Sequence, residues 1–184
     1  MGVPTEDLPV LPSIEAVESW AGTGRVVRAV PHDVATWRLS EPHKAALISC
    51  GIPLVDGLVD AASFEADPTM YWLAERSVDP PVIRWVFGAV PDTGQVQEIL
   101  LPAKETKFVN SSIVHWICSL HLVGTWLSTS SVIERWDENE KAEETALAEL
   151  ADLLQRIKAL DPPAYGQGDH RTHFWPGTLD RWLY

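Results

Sequence analysis

Lys107-Phe108-Val109-Asn110-Ser111-Ser112-Ile113-Val114-His115-Trp116-Ile117 is the stretch whose reading decides the fold. It reads as the end of a strand, a polar turn and the start of a buried helix. Asn110 or Ser111 can accept a hydrogen bond from the first free backbone N–H groups of that helix. Beyond the turn the helix is apolar on almost every side, through Cys118, Leu120, Leu122, Val123, Trp126 and Leu127. A helix without a polar face belongs inside a fold. It is too short, and too often interrupted by His and Ser, for a membrane span.

Outward from this centre the β signal lies upstream. Tyr71-Trp72-Leu73-Ala74-Glu75 and Val82-Ile83-Arg84-Trp85-Val86-Phe87 carry β-branched and aromatic residues. Asp92-Thr93-Gly94 is a turn, with Gly94 suited to positive φ. Gln95–Leu101 alternates polar with apolar, so Val82–Val90 and residues 95–101 pair as a hairpin, and Lys107-Phe108-Val109 adds a further strand. Strands succeed one another without intervening helices, which is a meander and predicts an α+β fold with a mainly antiparallel sheet packed by helices.

Nearer the N-terminus, Ser13 caps a helix over Ile14–Trp20 that Gly22 and Gly24 stop. Arg25–Val30 reads as a strand ended by Pro31. Ser40-Glu41-Pro42 opens a helix running to about Cys50 and ended by Gly51. The segment from Ile52-Pro53 to Phe64 reads as a loop with short extended pieces. Downstream, Ser128–Ser131 is a polar break. A long helix from about Asn139 to Leu160 follows, with Ala146, Leu147, Leu150, Leu153, Leu154, Ile157 and Leu160 as its apolar stripe. Asp161-Pro162-Pro163 ends it. A last helix over Gly177–Tyr184 packs through Trp175, Leu179, Trp182 and Leu183. The expected organisation is an irregular N-terminal arm over 1–12 and one domain over 13–184.

The 184 residues suffice for one domain with a sizeable core, and 46% hydrophobic and 22% charged residues are ordinary for a globular protein. The net charge of −12 argues against nucleic acid as a partner and against anionic lipid. It suits a basic protein partner and equally suits simple solubility. Two cysteines, Cys50 and Cys118, make neither a disulfide scaffold nor a zinc site and read as core residues of a reducing compartment. The N-terminus lacks the basic and apolar regions of a signal peptide, so the expected location is cytoplasmic.

Linear signatures of catalysis are missing: no GxSxG, P-loop, GxGxxG or HExxH occurs. His115, Cys118 and His121 share one helix at spacings of three, which could serve a metal or a Cys–His pair. The buried setting favours satisfied core residues instead. Asp169-His170-Arg171-Thr172-His173 is the other candidate, placed in a loop as suits a site, but it reads first as a solvated turn. The dominant charge feature is Glu134–Asp161, with nine acids against four bases, net −5. Its acids crowd the helix start, where the macrodipole favours them. Glu134, Asp137, Glu138, Glu140 and Glu143 also form a candidate docking face for a partner, with Trp136 as an aromatic anchor beside it. No cofactor and no metal is called for by these residues.

Ile52-Pro53, Phe64, Thr93-Gly94-Gln95-Val96, Phe108-Val109-Asn110-Ser111-Ser112, Ile157 to Pro162, Trp175 and Trp182 occur in an order that resembles the SUKH superfamily, also called the SMI1/KNR4-like group. The likeness is greatest to its SUKH-4 branch. It covers most of the chain from about residue 50 onward. Gly88 followed by Ala89-Val90-Pro91 departs from the family's usual glycine placement. The resemblance implies a single α+β domain. It implies a non-enzymatic immunity protein that binds and neutralises a cognate polymorphic toxin domain, often a nuclease or nucleic-acid deaminase, by stoichiometric occlusion. Such a toxin is expected to be basic. The resemblance leaves Asn110, Ser111 and Gly94 as structural positions. A regulatory or scaffold module of the same fold is the alternative, and a metal-dependent enzyme using the Asp169–His173 loop is the third.

Overall fold

The computed structural model describes residues 8–77 and 83–182. Its core is a five-stranded antiparallel meander, β3 (Ala61–Ala66), β4 (Tyr71–Arg76), β5 (Arg84–Ala89), β6 (Val96–Leu101) and β7 (Glu105–Asn110), in spatial order β3-β4-β5-β6-β7. A two-stranded antiparallel ribbon, β1 (Val26–Val27) with β2 (Ile52–Pro53), lies outside it. The helices are α1 (Ile14–Ala21), α2 (Pro31–Val34), α3 (Glu41–Ala45, continued by a π-helical turn Ala46–Cys50), α4 (Ile113–Thr129), α5 (Glu140–Leu160), α6 (Pro162–Tyr165) and α7 (Phe174–Leu179). The α+β class and the antiparallel meander are as the sequence predicts.

Register decides which face of the sheet is inside. Phe87 pairs with Glu98 and Ala74, and Glu98 pairs with Lys107, so these side chains share one face. Phe87 is fully buried and meets Trp116 of α4 and Phe174 of α7, both at 5.3 Å between ring centroids. The helical layer therefore covers this face. The opposite face carries Trp72, Glu75, Val86 and Ile99, with Met70 lying where a Cβ on Gly88 would be.

The central helix α4 has eleven of its 17 residues buried. Each fully buried Leu, Ile or Phe is worth roughly 1.5–3 kcal/mol of transfer free energy, so α4 is the largest single source of core burial in the chain. Its N-cap is Ser112, whose hydroxyl accepts from the His115 amide at 3.2 Å. That corrects the expectation of Asn110 or Ser111. Those two residues turn instead toward the far end of α5, where Asp161 is buried at 2% exposure. Asp161 accepts from Asn110 Nδ2 at 2.9 Å, from the Ser111 amide at 2.8 Å and from the Ser111 hydroxyl at 2.6 Å. Asn110 also donates to Ser119 Oγ at 3.1 Å and accepts from Trp175 Nε1 at 3.0 Å. One buried carboxylate thus fastens β7, α4, α5 and α7 together. A carboxylate can sit there because charged hydrogen bonds replace its hydration.

Other differences have local causes. The strand expected over Arg25–Val30 shrinks to Val26–Val27, because Pro31 opens the one-turn helix α2. Residues 61–64, read as part of a loop with short extended pieces, belong to the edge strand β3, held by pairing with β4 despite a weak intrinsic preference. Pro162-Pro163 ends α5 but starts another turn, α6. The last helix begins earlier than expected, at Phe174. Leu147 of the predicted apolar stripe is 43% exposed, while Ala146, Leu150, Leu153 and Ile157 are buried. Val82, Leu183, Tyr184 and the first seven residues of the arm lie outside the described residues.

Candidate functional site

The acidic stretch resolves into two kinds of carboxylate. Glu149 and Asp161 hold the fold: Glu149 Oε2 accepts from Trp126 Nε1 at 2.9 Å and from Ser130 Oγ at 2.6 Å, tying the end of α4 to α5. Glu134, Asp137, Glu138 and Glu140 are instead exposed, as is Glu144. They cluster on the 130–139 connection and the first turn of α5, whose cap Asn139 accepts from the Ala142 amide at 2.9 Å. Glu143, in the same turn, is half-buried. Arg135 lies 3.9 Å from Glu138, a contact weakened by solvent on both sides. Trp136 is half-buried and packed against the core, so only part of its side chain is accessible.

Glu134 also lines an open groove of about 470 Å³ between α1, the β2–β3 connection and the end of α4. Trp20, Leu54, Leu127 and Ile133 supply its apolar surface, and Arg25, Asp56 and Ser128 its polar edge. Trp20 is fixed from two sides. Its Nε1 donates to His121 Nδ1 at 2.9 Å, and its ring lies on Gly124, where a Cβ would approach within 2.1 Å. Sequence reading missed this groove because its residues come from four separate segments and no spacing links them.

The remaining candidates are placed as follows. His115 shares a 2.7 Å hydrogen bond with the Ser112 hydroxyl, and the Cys118 thiol reaches the Val10 carbonyl at 3.6 Å. With His121 bound to Trp20, the three spaced residues face different neighbours. Burial pushes the Cys118 thiol up to about 12 and depresses His115 and His121 below the ordinary histidine value. In the Asp169–His173 loop, Asp169 accepts from the Arg171 amide, His170 Nε2 pairs with Asp180 at 2.5 Å, and His173 forms a β-bridge with Phe108 of β7. The loop thus extends the sheet edge. Gly94 sits at φ 72° in the β5–β6 turn, with His43 against it.

Glu98 is the most perturbed carboxylate. It is 2% exposed on the inner sheet face, and its Oε2 lacks a hydrogen-bond partner. Its nearest cation is Arg76, at 3.8 Å. Desolvation pushes its carboxyl up to about 7, against the pull of Arg76 and Lys107.

The family model for SUKH-4 immunity proteins matches residues 13–181. The chain belongs to the SUKH-4 immunity protein family. No curated protein and no solved structure matches it. Membership agrees with the resemblance carried by Phe108–Ser112 and gives the SUKH-4 chain an immunity-protein role. Among the described residues no helix is long and apolar enough to cross a membrane.

Proposed function

We propose that this SUKH-4 protein neutralises a cognate toxin domain by binding it one to one and covering its active site or substrate groove, without chemistry of its own. The toxin is a nuclease or nucleic-acid deaminase, whose substrate requires a basic surface. The cell's own cytoplasm is where the two meet. The observation that carries this reading is the corner of exposed carboxylates, Glu134, Asp137, Glu138 and Glu140, set around Trp136 on a chain of net charge −12. Such a corner steers a basic partner and excludes its anionic substrate from the same surface.

The test is capture of the toxin domain encoded beside this chain's gene, with its catalytic activity followed in parallel. Stoichiometric capture that stops the activity supports the proposal. Capture without inhibition, or none by the folded protein, refutes it. Changing Asp137, Glu138 and Glu140 together to Lys is expected to slow association by on the order of tenfold at low salt. An unchanged on-rate moves the interface off this corner.

A further inference from the structure

The groove beside Glu134 has the chemistry of a receptor for a basic segment. Its floor is apolar and rigid, because Trp20 is clamped between His121 and Gly124. Its rim is anionic. The Asp56 side chain is 93% exposed, and Glu134 makes no ion pair among the described residues. Ser128, also on the rim, belongs to the last turn of α4. That 17-residue helix carries no basic residue in its last turn, so the partial negative charge of its C-terminal end is not neutralised from within. The one cation lining the groove among the described residues, Arg25, is already held on Asp56 Oδ1 at 2.6 Å. Two carboxylates and a helix C-terminus thus oppose a single guanidinium. Along the chain beyond Glu134, the exposed Arg135 lies 3.9 Å from Glu138, and the exposed Asp137 leaves that segment net acidic.

We infer that this groove takes a loop of the partner protein bearing arginine or lysine beside an apolar side chain. The apolar group rests on Trp20, Leu127 and Ile133, and the cation is held by Glu134 and the end of α4. The inference rests on the immunity reading for the partner's identity. Its chemistry can be tested without that partner.

The probe is the peptide acetyl-Gly-Arg-Leu-Arg-Gly-amide, with acetyl-Gly-Glu-Leu-Glu-Gly-amide as its counterpart. Both are titrated into the full-length ¹⁵N-labelled protein. The expected result is saturable shifts of the Trp20 indole N–H and the Ser128 and Ile133 amides with the arginine peptide alone. The double variant Asp56→Lys/Glu134→Lys, both surface positions, weakens that binding at least tenfold, whereas Glu105→Lys, at the exposed start of β7, leaves it unchanged. No saturable shift at millimolar peptide, shifts that bypass Trp20, or equal binding by the double variant overturns the inference. The captured toxin domain separates the two claims. If it binds the wild type and the double variant equally, the groove is wrong and the immunity reading stands. If the peptide binds as expected while the neighbouring toxin is not captured, the groove survives and the immunity reading falls.

Discussion

Replacing Glu98 by Gln should stabilise this protein, and more so at high pH. The carboxyl is almost fully buried, sits 3.8 Å from Arg76 and is raised from an ordinary 4.5 to about 7. At about 1.4 kcal/mol per tenfold, that displacement corresponds to about 3 kcal/mol once both folded and unfolded chains are ionised. The sign follows from proton binding. Between the unfolded and folded values the native state holds a proton that the unfolded chain has released. The stability present below about pH 4.5 is therefore lost as pH rises through 7.

A glutamine does not titrate, so the advantage of the variant grows by about 2 kcal/mol between pH 5.5 and 8.5. Arg76 is 24% exposed and retains the face of Trp85 at 4.9 Å, so losing the carboxylate does not strand it. A new amide N–H₂ without an acceptor would subtract about 1 kcal/mol from the whole curve without changing its pH dependence. The assay is urea unfolding of wild type and Glu98→Gln at several pH values across that window. Stability curves that run parallel would refute the reasoning, because they would mean that Glu98 titrates alike in both states.

Asp161→Ala is expected to cost about 3 kcal/mol, because it removes the acceptor of one buried Asn110 N–H and of the half-buried Ser111 N–H and hydroxyl; the urea midpoint reports it. Gly124→Ala drives a methyl into the Trp20 ring and should cost about 1–3 kcal/mol, with a change in tryptophan fluorescence at the groove. His43 and His115 are both depressed, each chiefly by burial, and their charges oppose one another. The unfolded chain therefore takes up protons first as pH falls below about 6.5, and stability present above that value is lost on acidification. His43→Gln should flatten that loss in unfolding curves from pH 7.5 to 5.5, and superimposable curves would count against it.

How much of this was legible in the sequence follows from range. The hairpin over residues 84–101 could be read because alternation and the Asp92-Thr93-Gly94 turn are local signals. The long helix could be read because its stripe has a fixed period. β3 could not, since Ala61, Ala62 and Ser63 carry no β signal and are held there only by β4. The cap fell to Ser112 because Asp161, some fifty residues away, claims Asn110 and Ser111. Glu134 to Glu140 stand out by composition, but the groove beside them is assembled from segments more than a hundred residues apart, and no pattern within one segment encodes it.

Helix α5 links these two levels. Its 21 residues span about 30 Å at 1.5 Å per residue, so Asn139 and Asp161 cap opposite ends of a rod. The Asp161 end is buried, bonded to Asn110 and Ser111 and through Asn110 to α4 and α7, and little there can change without loss of the fold. The Asn139 end carries its carboxylates into solvent, where a substitution costs no more than the macrodipole contribution, about 1 kcal/mol or less. Middle positions such as Leu150 and Leu153 anchor the rod to the core, so a change of charge at one end does not loosen the other. A binder built this way can alter the surface it presents at the start of α5 while Asp161 keeps the scaffold fixed. That arrangement suits a protein whose partner is defined by surface chemistry. It also requires that charge variants at Asp137 and Glu138 change association while moving the unfolding midpoint little, whereas reversing Glu140, in the first turn of α5, costs about 0.3–1 kcal/mol more through the helix macrodipole.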